Sequence, residues 1–211
     1  MKPACRLRLR GRVSVGPRAG APGETGRAVS AIRRVLIVCS GNTCRSPMAE
    51  ALVRRELESY FKGEGLSPRG DFEVMSAGIA ALEGDPASAH AVTAMAEAGL
   101  DISGHRAVRL TRELVEGADL VLTMTGRHKE AILKLAPGSE GKVYTIGEFT
   151  GRGRDYEIPD PFGLSLEEYR KAARELQGAA KEIAERLARD RVNNVGSVGK
   201  ESVEDEGGHR I

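Results

Sequence analysis

Tryptophan is absent from the sequence, and aromatic residues of all kinds make up only 4% of its 211 positions. Such a composition leaves little surface for stacking on nucleic-acid bases. No apolar run reaches the length of about 18 residues that a membrane-spanning helix needs. The basic N-terminus also lacks the apolar stretch of a secretory signal. These absences argue against nucleic acid and membrane as partners, so we expect a cytoplasmic protein.

Cysteine is scarce as well, with Cys5, Cys39 and Cys44 as the three examples. The number is odd and no CxxC pair occurs, so these residues form neither a disulfide framework nor a zinc ligand set. A reducing compartment fits this pattern best. We expect no metal and no other cofactor.

Positive charge is concentrated at the N-terminus. Residues 1–34 hold nine Lys or Arg and one acid, a charge of +8, whereas the whole chain has a net charge of +2, which leaves the remainder at −6. An anionic ligand must therefore be held by a local device rather than by a broad basic surface. Residues 1–32, rich in Arg, Gly and Pro, are predicted to be a flexible extension, although a transit peptide would have a similar composition. The polar residues 190–211 are predicted to be disordered, which leaves one domain at 33–189.

Strand and helix signals alternate along this domain. They predict an α/β fold, a three-layer sandwich whose four-stranded parallel sheet has helices on both faces. Ser46 is the candidate N-cap of the first helix, with Pro47 at its first position. The predicted strands lie at 35–38, 72–76, 119–124 and 142–146, and the predicted helices at 47–60, 87–98, 111–116, 127–135 and 165–189. Ligands of such sheets bind beyond the carboxyl ends of the strands, where Cys39 lies.

The segment Cys-Ser-Gly-Asn-Thr-Cys-Arg-Ser (residues 39–46, here called the phosphate loop) follows the first predicted strand and precedes the first predicted helix. Backbone N–H groups of a tight loop that leads into a helix N-terminus form an anion site. Gly41 permits the turn, Asn42 tolerates left-handed backbone angles, and Arg45 can donate to two phosphate oxygens. The residues predicted to bind phosphate are Ser40, Gly41, Asn42, Thr43, Cys44, Arg45 and Ser46.

Cys39 is the predicted nucleophile of this loop. The donors that bind an anion also favour the thiolate form of a cysteine, which is the reactive form, and the Ser46 hydroxyl can donate to the sulfur. An isolated cysteine is more often a small buried hydrophobic residue, but the complete pattern after a strand favours a nucleophile. A nucleotide-binding P-loop is excluded, because no lysine occurs between Arg34 and Lys62.

A proton donor should face Cys39 from another part of the chain. Transfer of a phosphoryl group to a thiolate expels a poor leaving group that needs a proton, which a carboxylic acid can supply. The candidate is Asp160, in an Asp-Pro turn before the last predicted helix. An Asp-Pro dipeptide alone is more often only a structural turn.

Cys-x5-Arg-Ser after the first strand, followed by Pro-Met-Ala-Glu and a late Asp-Pro, resembles the low-molecular-weight protein tyrosine phosphatase family over about residues 34–189. The resemblance implies that Cys39 forms a phosphocysteine, that Arg45 clamps the phosphate and that Ser46 donates to the thiolate. It implies Asp160 as general acid and then as base for water, with inorganic phosphate as product. It also places Asn42, Ser76 and His105 in a network that holds the loop's shape, although a strand-end serine and a helix-start histidine are an equally good interpretation of the last two.

Thr43 bears on the substrate. Tyrosine-directed members usually have a branched aliphatic residue here, whereas Gly-Asn-Thr-Cys-Arg-Ser-Pro-Met-Ala and the later Asp-Pro-Phe-Gly (160–163) resemble the bacterial protein-arginine phosphatases. A threonine hydroxyl offers a polar partner, and a carboxylate attracts a guanidinium. We therefore expect phosphorylated proteins as partners, with phosphoarginine as substrate and phosphotyrosine as the alternative.

Other interpretations have less support. Thiol-dependent arsenate reductases resemble the loop, but they relay oxidation to further cysteines, and none follows Cys44. A phosphopeptide-binding module would lose the nucleophile or the acid, yet Cys39 and Asp160 are both present. Cys44 is either the partner of Cys39 in a reversible disulfide or a buried loop residue. We expect a monomer.

Overall fold

Four parallel strands form the sheet in the computed structural model, which describes residues 32–63 and 72–198. Within these residues the elements are, in chain order, β1 (Arg34–Cys39), α1 (Arg45–Gly63), β2 (Glu73–Gly78), α2 (Ala89–Glu97), α3 (Arg112–Gly117), β3 (Leu120–Thr123), α4 (Gly126–Leu135), β4 (Val143–Thr145), α5 (Ile146–Thr150) and α6 (Leu166–Val198). No helix in the described ranges combines the length and the apolarity that crossing a bilayer requires.

The sheet separates two apolar cores. Its strand order is β2-β1-β3-β4, and every pair of neighbours is parallel. Because side chains alternate along a strand, Val35 and Ile37 of β1 face the core under α1, α2 and α6. Leu36 and Val38 face the core under α3 and α4. The predicted three-layer α/β fold with a four-stranded parallel sheet is confirmed.

The first and last helices and the additional helix α5 show the main differences from the prediction. α1 begins at Arg45, so Ser46 is not its N-cap; its hydroxyl instead contacts the Cys39 sulfur and the Asn42 amide. α5 was not predicted, because β4 is only three residues long and runs directly into it through the N-cap Thr145. α6 extends to Val198, so the predicted disorder of 190–211 is wrong for 190–198.

A helix that is already formed gains one hydrogen bond with each added residue. No proline follows the predicted end of α6 at Arg189, so the helix can continue, which accounts for its greater length. The rest of that segment, 199–211, and almost all of the predicted N-terminal extension, 1–31, lie outside the described residues.

The strand order determines which parts of the chain meet at the carboxyl edge of the sheet. The chain leaves β1 for β2 on one side and later crosses to β3 on the other, so β1 and β3 flank the point where the connections reverse direction. Ligands bind at this point in open α/β sheets. The backbone N–H of Ile158 donates to the Met124 carbonyl at 3.1 Å, just after β3. The phosphate loop, the start of α4 and the segment before Asp160 therefore share one edge.

Candidate active site

Cys39 ends β1, and its side chain is buried. Its Sγ accepts the backbone N–H of Asn42 at 3.3 Å and lies 3.0 Å from Ser46 Oγ in the first turn of α1. Asn42 has φ 53°, the left-handed backbone conformation that asparagine tolerates, and this returns the chain toward the sulfur. Donors from the loop and from the helix start thus face one sulfur atom, an arrangement that stabilises an anion.

The Asn42 side chain joins the loop to the neighbouring elements. Its buried Nδ2 donates to Ser46 Oγ and to Ser76 Oγ, both at 2.8 Å. Its Oδ1 accepts the N–H of Val108 at 2.8 Å, and its carbonyl lies 2.7 Å from His105 Nε2. Because a carbonyl only accepts, His105 carries its proton on Nε2. The structure therefore brings Asn42, Ser76 and His105 into one hydrogen-bonded group.

The directions of the Ser46 and Ser76 hydroxyl protons follow from these hydrogen bonds and from a contact with Glu50. Glu50 is the glutamate of Pro-Met-Ala-Glu, and it was not identified from the sequence. Ser76 Oγ donates to Glu50 Oε2 at 2.7 Å, so its oxygen is free to accept from Asn42. Ser46 Oγ likewise accepts from Asn42, so its own proton is available to Cys39 Sγ; the Ala77 carbonyl is a more distant acceptor at 3.4 Å. A continuous hydrogen-bonded line thus runs from a carboxylate on α1 to the sulfur.

Arg45 is 3% exposed and contacts three groups around the loop. Its Nη1 donates to the Ile158 carbonyl at 3.1 Å, and its Nη2 donates to Ser40 Oγ at 3.4 Å and pairs with Asp160 Oδ2. Its Nε is buried and has no hydrogen-bond partner among the described residues. A buried N–H without an acceptor is costly, so the guanidinium is suited to an incoming anion.

Asp160 reaches the site from the segment between α5 and α6. Its side chain is 46% exposed, its Oδ2 pairs with Arg45, and its Oδ1 accepts the N–H of Phe162 at 3.2 Å. The structure therefore brings this carboxylate beside the phosphate loop, where a proton donor is expected. A half-exposed carboxylate on a turn can exchange partners more easily than one within the core.

The position that requires glycine is Gly78 and not Gly41, where the sequence predicted it. Gly41 is not left-handed, and a Cβ there would make ordinary contact with Thr43 Oγ1 at 3.5 Å. At Gly78, which ends β2 beside Cys39, a Cβ would lie 2.7 Å from the backbone of both Asn42 and Ser40. Glycine here lets β2 approach the loop backbone. A glycine at the carboxyl end of a neighbouring strand was the available signal.

Thr43 and Cys44 point to different surroundings. Thr43 is partly exposed, and its Oγ1 makes a weak contact of 3.6 Å with Cys44 Sγ. Buried Cys44 donates to Ser88 Oγ at 3.4 Å and lies 3.2 Å from the Tyr169 hydroxyl. Burial, and next the hydrogen bond with Cys44, raises the pKa of Tyr169 to about 12. Both Cys39 and Cys44 are free thiols, and α6 contacts the loop through the second of them.

A cleft of about 460 Å³ adjoins the loop on the β3 side. Arg45 and Asp160 border it, together with Thr125, Arg127, His128, Glu157, Ile158 and Pro159. His128 was not identified from the sequence, because no motif marks it and its proximity depends on β1 pairing with β3. Among the described residues there is no cluster of three or more His, Cys, Asp or Glu that could hold a metal ion.

Known proteins resemble this chain across its described core. The family model named Low molecular weight phosphotyrosine protein phosphatase matches residues 34–193. A probable low molecular weight protein-tyrosine-phosphatase, EpsP, of Ralstonia nicotianae is 42% identical over 146 residues, covering 69% of this chain and 90% of that protein. A protein-arginine-phosphatase of Geobacillus stearothermophilus is 40% identical over 155 residues, covering 73% and 95%.

Among solved structures, a cysteine-to-serine mutant of the YwlE arginine phosphatase with a phosphorylated active-site serine aligns with a TM-score of 0.68 and 38% identity. The alignment covers 75% of this chain and 98% of that one. Relatives named for tyrosine and for arginine are about equally similar to this chain. Overall sequence identity therefore does not distinguish phosphotyrosine from phosphoarginine as the substrate. That assignment has to rest on individual residues.

Proposed function

This chain belongs to the low-molecular-weight phosphotyrosine protein phosphatase family and is a cysteine-dependent protein phosphatase, and from that premise we propose that it removes phosphate from phosphoarginine in cytoplasmic proteins. The observation that carries the substrate assignment is that Thr43, a hydroxyl-bearing residue of the phosphate loop, is partly exposed. Apart from its weak contact with Cys44, this hydroxyl is available to a polar substrate. A guanidinium offers it N–H donors, whereas a phenyl ring does not.

The proposed reaction has two steps. The Cys39 sulfur attacks phosphorus, so that an S–P bond forms as the P–N bond to the substrate guanidine breaks, and protonated Asp160 gives its proton to the leaving nitrogen. Water then attacks the phosphocysteine while the Asp160 carboxylate takes a proton from it. The S–P bond breaks, inorganic phosphate leaves and the thiolate is restored. Arg45 binds the phosphate oxygens in both steps.

The pairing of Arg45 with Asp160 supports this sequence of events. Both a carboxylate and a phosphate bind a guanidinium through oxygen atoms, so they compete for Arg45 Nη2. We expect an incoming phosphate to displace Asp160, which leaves its carboxyl free to face the leaving group. Arg45 Nε, which has no partner in the described part of the chain, supplies a second donor to the phosphate.

The test compares phosphoarginine and phosphotyrosine in peptides with the same flanking residues. We expect the wild type to have the larger kcat/KM for phosphoarginine, and Thr43→Ile to reduce that preference about tenfold, the scale of a single contact in a binding pocket. Thr93→Ile is the matched control, because Thr93 lies on an exposed part of α2 and bonds its own helix backbone. Equal preference in the wild type and in Thr43→Ile would remove the basis of the arginine assignment.

Phosphotyrosine is the second candidate, favoured by Phe162. This side chain is 71% exposed, and its N–H donates to Asp160 Oδ1, so an aromatic surface stands beside the proposed acid. Such a surface can stack on a phenyl ring. A guanidinium also stacks on aromatic faces, so Phe162 does not by itself oppose the arginine assignment.

We propose residues 33–189 as the catalytic domain and a monomer as its active form. The continuous apolar core of the described residues, to which β1 and α6 both contribute, supports the domain limits. The odd number of cysteines in the sequence, with Cys39 and Cys44 both free, supports the cytoplasm as its location.

A further inference from the structure

His128 lies beside the phosphate loop although it belongs to the next strand–helix unit of the sheet. The residue is buried, and both ring nitrogens have partners. Nδ1 is 3.0 Å from the hydroxyl of Thr125, the N-cap of α4, and Nε2 is 2.9 Å from Ser40 Oγ. The imidazole therefore cannot turn without losing a hydrogen bond, which makes it a fixed support for whatever it contacts in the loop.

Ser40 connects His128 to Arg45. Its Oγ accepts from Arg45 Nη2 at 3.4 Å while it contacts His128 Nε2. Ser40 is otherwise exposed, and an exposed serine samples several rotamers. The contact with His128 selects the rotamer that faces the guanidinium.

The contact between Ser40 and Arg45 matters most when Asp160 leaves Arg45. In the structure the guanidinium contacts the Ile158 carbonyl, Ser40 Oγ and the Asp160 carboxylate. When the carboxyl turns to the leaving group, the first two contacts remain, one on each terminal nitrogen. If Ser40 were free to rotate, Arg45 Nη2 would lose its contact with Ser40 as well as its contact with Asp160.

We propose that His128 is a positioning residue that holds Ser40 Oγ against Arg45 Nη2 and so keeps the guanidinium in place for phosphate. This inference rests on the proposed function, in which Arg45 binds the phosphate. His128 itself touches neither phosphate nor the reacting atoms in this scheme.

The charge state of His128 fits this role. Burial, and next the Arg45 guanidinium, lowers the pKa of His128, and the carboxylates of Asp160 and Glu157 only partly oppose the shift. A lowered pKa favours the neutral ring at neutral pH, which avoids a second cation beside Arg45. A neutral imidazole donates at one nitrogen and accepts at the other, and the hydroxyls of Thr125 and Ser40 can each do either, so both contacts are satisfied without charge.

A double-mutant cycle on the full chain tests the proposal, with the dissociation constant of inorganic phosphate measured by calorimetry. We expect Ser40→Ala and His128→Phe each to weaken phosphate binding about five- to tenfold, the scale of one ordinary hydrogen bond. The double variant should be no weaker than either single variant, because His128 acts through Ser40. His128→Gln, whose amide can replace Nε2, should bind phosphate within about twofold of the wild type.

Additive losses in the double variant would overturn the proposal, since His128 would then act independently of Ser40. Wild-type affinity in both single variants would overturn it as well. If His128→Phe does not fold, His128→Gln and Ser40→Ala carry the test: a large loss with the glutamine variant, or no loss with Ser40→Ala, contradicts the proposal.

Arg45→Lys separates this inference from the proposed function. Wild-type phosphate affinity in Arg45→Lys would contradict the phosphate clamp and the inference with it. Loss of binding in Arg45→Lys together with additive or absent effects at Ser40 and His128 would contradict the inference alone.

Discussion

The two sides of the active site are built differently. On the β2 side, the buried polar groups of Asn42, Ser46 and Ser76 are hydrogen-bonded to one another. On the β3 side, Asp160 is half-exposed and Ser40 is exposed, and both contact Arg45 from the surface. The first side fixes the sulfur, whereas the second side holds a carboxylate that, in the proposed reaction, has to leave Arg45 when phosphate binds.

This difference separates stability from catalysis. A buried polar group that loses its partner costs the full desolvation free energy, so changes on the β2 side should reduce both stability and activity. A carboxylate that is half-exposed contributes little to stability through its ion pair because solvent screens it, so changes at Asp160 or Ser40 should reduce activity alone. Paired measurements of kcat and of the melting temperature, Tm, test this difference.

The largest expected effect is that of Asp160→Asn. Loss of the proposed proton donor should lower kcat about 10³-fold, while the amide oxygen can still accept from Arg45 and leave Tm nearly unchanged. Phosphate affinity should hold or rise, because a competing carboxylate is gone. Asp155→Asn, an exposed position in the same segment, is the matched control. A drop in Tm of more than about 5 °C would show that the β3 side is structural too.

Asn42→Ala should have the second-largest effect on activity and the largest on stability. The change leaves Ser46, Ser76 and Val108 short of partners and puts alanine at φ 53°. We expect a loss of about 2–4 kcal/mol in the free energy of unfolding and a fall of about 10²-fold in kcat. Urea unfolding and steady-state kinetics measure the two.

Asn42→Gly refines this test, since glycine accepts the left-handed backbone but lacks the amide. Comparable losses in both variants would assign the effect to the side-chain network. Near-wild-type behaviour of the glycine variant would instead show that the network matters little and that the β2 side supplies only a backbone conformation.

How far the sequence predicts this site depends on whether its parts are neighbours along the chain. Residues 39–46 are contiguous, so the loop and its place after β1 could be predicted. Asp160 could be proposed only with the family pattern, because an Asp-Pro turn has many uses. His128 could not be found, because its role depends on the strand order that puts β3 beside β1. Gly78 was visible only as a glycine at the end of the second predicted strand, and its role depends on the pairing of β2 with β1.

The smallest expected effect lies at the far end of the β2 side, at Glu50. Glu50→Gln keeps an acceptor for Ser76 but removes the ion pair with Arg54, whose side chain is 54% exposed. Screening limits that pair to about 0.5 kcal/mol or less, and we expect kcat to stay within about twofold of the wild type. Glu58→Gln, an exposed change on the same helix, is the control. A tenfold loss with Glu50→Gln alone would mean that the carboxylate charge, and not only its hydrogen bond, acts on the sulfur through Ser76, Asn42 and Ser46.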